Sequence, residues 1–402
     1  MFEDIPAYPG DPILSLNEDF QRDPRTNKVN LSIGIYFDEN GVLPVMSAVR
    51  EAEAAIVAQN TPRSYLPMAG MPQYREAAQE LVFGTENPAR MAGRIVTVQT
   101  VGGSGALKVG ADFLKRHFAD SQVWLSDPSW ENHRVVFEAA GHTVNAYPYY
   151  DTATGGLLFS EMRDTIDAIP ERSIVLLHAC CHNPTGVDLT IEQWQELVTV
   201  LQRRNHIVFV DMAYQGFGDG LESDAACVRM LSSADVPLIV ANSFSKNLSL
   251  YGERCGALSV VCKNATEAER VLGQLTATIR ANYSNPPMHG ARLIAEVLGD
   301  AGRRASWEGE LSVMRDRIHE MRHAIHEELN GRVDEIMRKR YVAQVGMFTY
   351  TGLSIEQVEV LRVEHGIYLL RSGRMCVAGL NRGNVAFVAS AIAAVAGSEV
   401  DR

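Results

Sequence analysis

The sequence predicts an α/β fold: a large domain built on a largely parallel sheet with helices on both faces, and a smaller α+β domain. Three observations predict it. Between about residues 45 and 300, short apolar or β-branched runs recur at Ile95–Val98, Val123–Leu125, Ile174–Leu177, Ile207–Val210, Leu238–Val240 and Ala257–Val261. Helical stretches such as Ile191–Arg203 separate most of them, and strands alternating with helices imply parallel pairing. The runs are continuously apolar, as strands buried on both faces require. After Gly302 the pattern changes. Helical periodicity covers Leu311–Leu329, two strand-like pieces follow at Gly346–Thr351 and Met375–Ala378, and an Ala-rich helix runs from Val385 to Gly397.

At the other end, Pro6, Pro9, Gly10 and Pro12 suit an extended arm rather than a helix. Such an arm lies on a neighbour in an oligomer or frays in a monomer. Val29–Phe37 also reads as a strand and is assigned to the smaller domain. The chain then divides into an arm (1–14), a small domain (15–44 and 312–402) and a large domain (45–311).

The chain has 402 residues, enough for two to three domains at about 150 residues each. Its 46% hydrophobic and 21% charged residues are those of a globular protein and argue against disorder. The net charge of −12 argues against a surface that coats DNA or RNA. No run reaches the roughly 18 apolar residues that span a bilayer. The start, Met1-Phe2-Glu3-Asp4, lacks the basic and apolar segments of a secretory signal. Six cysteines without paired spacing read as reduced thiols of a cytoplasmic protein. Cys180-Cys181-His182 lacks the spacing of a zinc site, so no metal is assigned.

In open α/β sheets, ligands sit beyond the carboxyl ends of the strands. After Ile95–Thr100 comes Gly102-Gly103-Ser104-Gly105, opening a helix: a plain tight turn, or an anion site of backbone N–H groups. It is neither a Walker A loop nor a G-x-G-x-x-G fingerprint, since Lys108 stands where the third Gly belongs. After Val123–Leu125 come Trp130 and His133, able to stack on a planar ligand or simply to pack in a loop. After Ile174–Leu177 comes His178 and then Asn183-Pro184-Thr185-Gly186, a turn whose Asn can face a ligand. The run Ile207–Val210 ends in Asp211, followed by Tyr214. A carboxylate at the end of a buried strand needs a cation: a protonated ring nitrogen, or an Arg partner. After Leu238–Val240 come Ser243, Ser245, Lys246 and, further on, Arg254: two hydroxyls and a guanidinium for a phosphate, and a lysine whose desolvation would make it a Schiff-base amine. Together these groups are what pyridoxal phosphate requires: a phosphate loop, an aromatic plate, a carboxylate for the pyridinium nitrogen and an activated lysine.

The chain resembles the fold-type I, pyridoxal-phosphate-dependent aminotransferases of the aspartate/aromatic subgroup. The resemblance runs from Asp11-Pro12-Ile13-Leu14 to the last helix. Its motifs are Ser64-Tyr65-Leu66-Pro67, Gly102–Leu107, Pro128–His133, Cys181–Gly186, Asp211–Phe217, Ser243–Asn247, Arg280–Pro287 and Ser372-Gly373-Arg374. Gly103–Asp112, Ser249–Arg254 and Arg374–Asn381 are worded more like the bacterial aromatic (tyrosine) enzymes, and Ser104 stands where aspartate enzymes often have Thr.

The resemblance implies a mostly parallel seven-stranded sheet, a homodimer with shared active sites, and roles for particular residues. Lys246 anchors the cofactor covalently and shuttles the proton. Asp211 pairs with the pyridinium nitrogen, and His133 supports Asp211. Trp130 stacks on the ring, while Asn183 and Tyr214 bond its phenolic oxygen. Gly103, Ser104, Ser243, Ser245 and Arg254 hold the phosphate, with Tyr65 reaching from the other subunit. Arg374 clamps the substrate α-carboxylate near Gly34. Arg280 of the other subunit binds a distal carboxylate, with Trp130 and Asn183 also lining the substrate site. Arg371, three residues before Arg374, either points inward or is solvated.

The expected activity is transfer of the amino group of tyrosine or phenylalanine, and of aspartate, to 2-oxoglutarate. The alternatives are an aspartate aminotransferase with little aromatic activity, a nicotinamide oxidoreductase, which has no need of Lys246, and a non-catalytic binding protein, which also needs no such lysine.

Overall fold

A computed structural model describes residues 2–7, 10–234 and 236–397. Met1, Tyr8 and Pro9 of the expected arm, and residues 398–402 of the expected small domain, lie outside the described residues. The chain forms two compact units, Pro44–Asp316 and Met1–Leu43 with Arg317–Arg402.

In chain order the strands are β1 (Val29–Asn30), β2 (Ile95–Val101), β3 (Val123–Asp127), β4 (Val144–Pro148), β5 (Ile174–His178), β6 (Ile207–Met212), β7 (Leu238–Ser243), β8 (Cys255–Val261), β9 (Phe348–Tyr350), β10 (Ile367–Tyr368) and β11 (Arg374–Cys376). The larger unit holds a seven-stranded sheet of order β2-β8-β7-β6-β5-β3-β4. Only β8 runs against its neighbours; the other pairs are parallel. Strands β5, β6 and β7 are buried at every position, which explains their unbroken apolar runs.

The helix Gly102–His117 lays Ala106, Leu107, Val109, Ala111, Phe113 and Leu114 on this sheet. A Cβ on Gly110 would come within 2.6 Å of the Phe209 ring, so glycine there sets the distance between helix and sheet. The strand β4 has no counterpart among the predicted runs. It is an edge strand of sequence V-N-A-Y-P, mostly half-buried, so neither an apolar run nor alternation marks it, and its proline is tolerated at an edge.

The smaller unit differs from expectation at two places. The expected strand Val29–Phe37 is reduced to Val29–Asn30, paired in parallel with β10. The Asn30 side-chain oxygen accepts from Ser32 N at 3.0 Å and Ser32 Oγ at 2.7 Å, a local turn that ends the ladder. Residues Pro12–Leu14, expected as extended arm, form the first turn of the helix Pro12–Arg22. Asp11 accepts from the Ile13 and Leu14 amides at 2.9 and 2.8 Å, and proline is well placed at the first helical position. The helices Ile191–Arg203 and Val385–Gly397 have the predicted limits. Among the described residues, no helix is long and apolar enough to cross a membrane.

Candidate active site

The parallel strands of the large unit end at one edge of the sheet, and most of the site residues expected in this unit gather there. Helix Gly102–His117 starts directly after β2, so its first N–H groups point outward beyond the strand. Gly102 has a φ of +68°, and a Cβ on it would lie 2.5 Å from Arg254 Nη2. The Gly102 amide donates to Arg254 O at 2.9 Å. Ser243 closes β7 beside Gly103, whose added Cβ would sit 3.1 Å from Ser243 Cβ. The Ser245 amide donates to Ser243 Oγ at 3.2 Å, and Arg254 Nη1 donates to Ser245 Oγ at 3.3 Å. Gly103, Ser243, Ser245 and Arg254 thus converge at a helix N-terminus, with Ser104 in the same first turn. A positive dipole end, a guanidinium and hydroxyls make a cradle for a phosphate dianion.

On β6, the neighbour of β7 in the sheet, Asp211 stands opposite His178 of β5 and Ala241 of β7. His133 Nε2 donates to Asp211 Oδ2 at 2.9 Å, and His133 Nδ1 lies 2.9 Å from Ser129 Oγ. Burial alone would push the Asp211 carboxyl up. The neighbouring groups outweigh burial, the bond from His133 first and the charge of Lys246 last, and the group lies below its ordinary value. The strand end therefore presents a buried, ionised carboxylate.

Lys246 Nζ lies 5.0 Å from the centre of the Tyr214 ring. Asn183 and Tyr214 are buried, while Trp130 is half-buried and meets His133 edge-on at 5.2 Å.

His178 was assigned no role from the sequence. It is buried, and neither ring nitrogen has a hydrogen-bond partner among the described residues. Burial, reinforced by His133, pushes its pKa down to about 3. The available signal was its position: it ends β5 just as Asp211 nearly ends β6. The Cys180-Cys181-His182 run does not converge on one point. Both His182 nitrogens face hydroxyls, Ser126 Oγ at 2.9 Å and Thr185 Oγ1 at 2.8 Å. The Asp224 carboxylate near the two thiols accepts from Gly216, Gly218 and Asp219 amides.

In the smaller unit Arg374 is 1% exposed, a costly burial for a guanidinium unless it is well partnered. Its Nη2 donates to Ser32 O at 2.8 Å, and its guanidinium carbon lies 4.3 Å from the centre of the Phe348 ring. A Cβ on Gly34 would come within 2.9 Å of that same ring, so this residue must be small. Arg371 is solvated: 73% of its side chain is exposed, and its Nε lies 3.2 Å from Glu359.

Two predicted site residues lie outside both clusters. Tyr65 is 92% exposed, and Arg280, also exposed, donates to Ser284 Oγ. Asn285 Nδ2 donates to Leu66 O at 3.0 Å, which joins the Tyr65 segment to the one after Arg280. An open groove of about 450 Å³ runs along this face, lined by Tyr65, Leu66, Tyr283 and Met288 among others.

Residues 26–392 match the family described as aminotransferase class I and II. The chain belongs to this family. It is 54% identical over 396 residues, 98% of this chain and all of the relative, to the aromatic-amino-acid aminotransferase of Escherichia coli K12. Its fold matches the crystal structure of an aromatic amino acid aminotransferase from Burkholderia cenocepacia J2315 with a TM-score of 0.95, at 64% identity over 98% of each chain. It also matches an aromatic-amino-acid aminotransferase from Burkholderia pseudomallei, covalently bound to pyridoxal phosphate, with a TM-score of 0.96 at 49% identity, over 98% of this chain and 99% of that one. An aminotransferase needs an anion cradle, an acid for a ring nitrogen and an amine, and the strand ends of this chain supply all three.

Proposed function

We propose that this aminotransferase uses pyridoxal phosphate to move the amino group of tyrosine or phenylalanine, and of aspartate, onto 2-oxoglutarate. The full-length similarity to aromatic-amino-acid aminotransferases carries the substrate class. The site supports the cofactor on its own evidence. The space that a Cβ on Gly102 would fill lies against Arg254, and Asp211 is a buried anion at a strand end.

The cofactor's phosphate would be held by Gly103, Ser104, Ser243, Ser245 and Arg254, and its ring nitrogen by Asp211, with His133 behind. When bound, it supplies an electron sink for the carbon that carries the amino group. Lys246 is the residue for covalent attachment, and its Nζ takes the proton from the substrate α-carbon and returns it on the other side of the exchange. Trp130 covers the ring face. The Asn183 amide and Tyr214 hydroxyl bond the phenolic oxygen. Arg374 takes the α-carboxylate in a bidentate pair, and Gly34 keeps the backbone there thin. Arg280 reads the distal carboxylate of aspartate or 2-oxoglutarate. Arg280 and Tyr65 are both exposed in the single chain, which fits the reading that each serves the site of a second copy in a homodimer. Buried cysteine thiols at all six positions fit a reducing cytoplasm.

The deciding experiment is an absorption spectrum of the purified protein reconstituted with pyridoxal phosphate. A visible band that is lost with tyrosine and restored with 2-oxoglutarate supports the reading. A response to aspartate but not tyrosine shows the narrower aspartate enzyme, and no band at all overturns the cofactor assignment.

A further inference from the structure

Between the strand end that carries Trp130 and the turn that carries Asn183 lies a residue with no assigned role. His182 is 1% exposed, and all of its polar atoms are spoken for. Nε2 faces Ser126 Oγ at 2.9 Å and Nδ1 faces Thr185 Oγ1 at 2.8 Å. The ring stacks on Tyr149 with centroids 4.0 Å apart and planes 15° from parallel. Tyr149 is tethered in turn, its hydroxyl donating to Val187 O at 2.6 Å. The His182 amide donates to Asp188 Oδ1 at 2.8 Å, the Cys181 amide to Asp188 Oδ2 at 2.6 Å, and the His182 carbonyl accepts from Gly186 N at 2.7 Å. His178 packs against the other side of the cluster at 4.2 Å.

We propose that His182 is the positioning residue of this site: it bolts the turn bearing Asn183 to the end of β3, and so fixes where the Asn183 amide meets the cofactor's phenolic oxygen. The inference rests on the function proposed above. Three features support it. First, the two anchors belong to different elements. Ser126 precedes Asp127 at the end of β3, four residues before Trp130. Thr185 lies two residues beyond Asn183, within the turn itself. Secondly, both ring nitrogens are engaged. Burial, with His178 and then His133 adding to it, holds His182 well below its ordinary pKa, so the ring is neutral and carries one N–H. One nitrogen then donates and the other accepts, and Ser126 Oγ and Thr185 Oγ1 are hydroxyls that can each take either part. Thirdly, an imidazole bonded at both nitrogens is fixed in its plane, so it can hold the two elements it joins in one register. The groups that face the cluster are Asp188, His178 and Tyr149, and burial pushes the Asp188 carboxyl up to about 6.

The test uses holoenzymes reconstituted with pyridoxal phosphate. His182→Phe keeps the ring and the stack on Tyr149 but removes both bonds. His182→Gln and His182→Asn restore a polar atom near the Nε2 and Nδ1 positions respectively. Asn183→Ala removes the amide that His182 is held to place. The readout is the pH midpoint of the visible band, because a bond to the charged phenolic oxygen favours the charged form. Loss of that bond in Asn183→Ala raises the midpoint. His182→Phe is expected to raise it in the same direction by about one pH unit, with kcat falling about tenfold, and the better of Gln and Asn to bring it at least halfway back. In the double variant the shift should not exceed that of Asn183→Ala alone, the non-additivity of residues acting as one unit. A wild-type midpoint in His182→Phe, with only a lower melting temperature, overturns the inference, as does full additivity with Asn183→Ala. Should His182→Phe not fold, the Gln and Asn variants decide: wild-type midpoints in both, with reduced kcat, overturn it. Wild-type protein that takes up no cofactor overturns the proposed function instead, and is told apart by the absent band.

Discussion

His133 Nε2 lies 2.9 Å from Asp211 Oδ2, and the pair is enclosed, with His133 at 0% and Asp211 at 7% exposure. Two residues 78 positions apart meet because β3 and β6 run parallel in one sheet and finish at the same edge of it. The bond holds the carboxylate charged against the cost of burial. His133→Phe removes the donor and keeps a ring of similar bulk. A buried hydrogen bond to a charged group contributes about 1.5–3 kcal/mol. kcat/KM for tyrosine is therefore expected to fall ten- to hundredfold, with faster loss of pyridoxal phosphate on dialysis. Unaltered kinetics in His133→Phe would show that Asp211 needs no support from behind.

Lys246 carries the heaviest load in the proposed chemistry, since one amine both anchors the cofactor and moves the proton. Lys246→Ala should reduce transamination at least about 10⁴-fold while leaving the circular dichroism spectrum unchanged. Substantial residual turnover would remove Lys246 from the mechanism.

Arg280 is exposed in the single chain, which suits a residue that serves another copy. Arg280→Leu should lower kcat/KM for aspartate by two or more powers of ten, about 3 kcal/mol or more of charge-assisted bonding, and for tyrosine far less. Equal losses for both substrates would mean that it does not read the distal carboxylate. Mixing Arg280→Leu with Lys246→Ala subunits gives a second reading: hybrid dimers should recover one intact site if the residues act across the interface.

His178 predicts how stability depends on pH. Its folded pKa is pushed down to about 3 from an ordinary 6.5. Between these values the unfolded chain binds a proton that the folded chain excludes, so stability rises with pH through this window and falls as the solution is acidified. The slope is at most about 1.4 kcal/mol per pH unit and is absent above pH 6.5. In His178→Leu this part of the acid limb should vanish, so that melting temperatures of variant and wild type diverge between pH 6.5 and 4. Parallel curves over that range would show that His178 is not held neutral.

The legible part of the molecule is the part where chemistry and burial coincide. The strands β5, β6 and β7 are buried throughout, so their sequences could only be apolar runs, and each run ends in a polar residue that the sheet then aligns. Edge strand β4 is half-buried and carries no such mark. The stretch after Val29 looked like strand because its composition is right, but Asn30 bonds Ser32 and turns the chain, a contact that composition does not encode. His178 and His182 were in view as part of a motif. Their separate environments, one ring without partners and one with two, follow from strand register and from residues distant in sequence.

Gly102 gives the sharpest test of the phosphate cradle, because two physical effects act there and can be separated. Its φ of +68° costs a non-glycine residue about 1 kcal/mol wherever the backbone is kept. Its added Cβ would also lie 2.5 Å from Arg254 Nη2, so the guanidinium must move away from Ser245 and from the helix start. The first effect lowers the melting temperature of the protein with or without cofactor. The second weakens only the holoenzyme. Gly105, three residues along the same helix, lacks the positive φ, and its Cβ would meet nothing nearer than Val101 Cβ at 3.3 Å. Gly102→Ala should therefore weaken pyridoxal phosphate binding at least about tenfold, the equivalent of about 1.4 kcal/mol, measured by titration of the apoprotein. Gly105→Ala should leave binding within about threefold of wild type. If both variants bind the cofactor equally well and Gly102→Ala is merely less stable, the glycine serves the turn alone and Arg254 does not need that space to hold a phosphate.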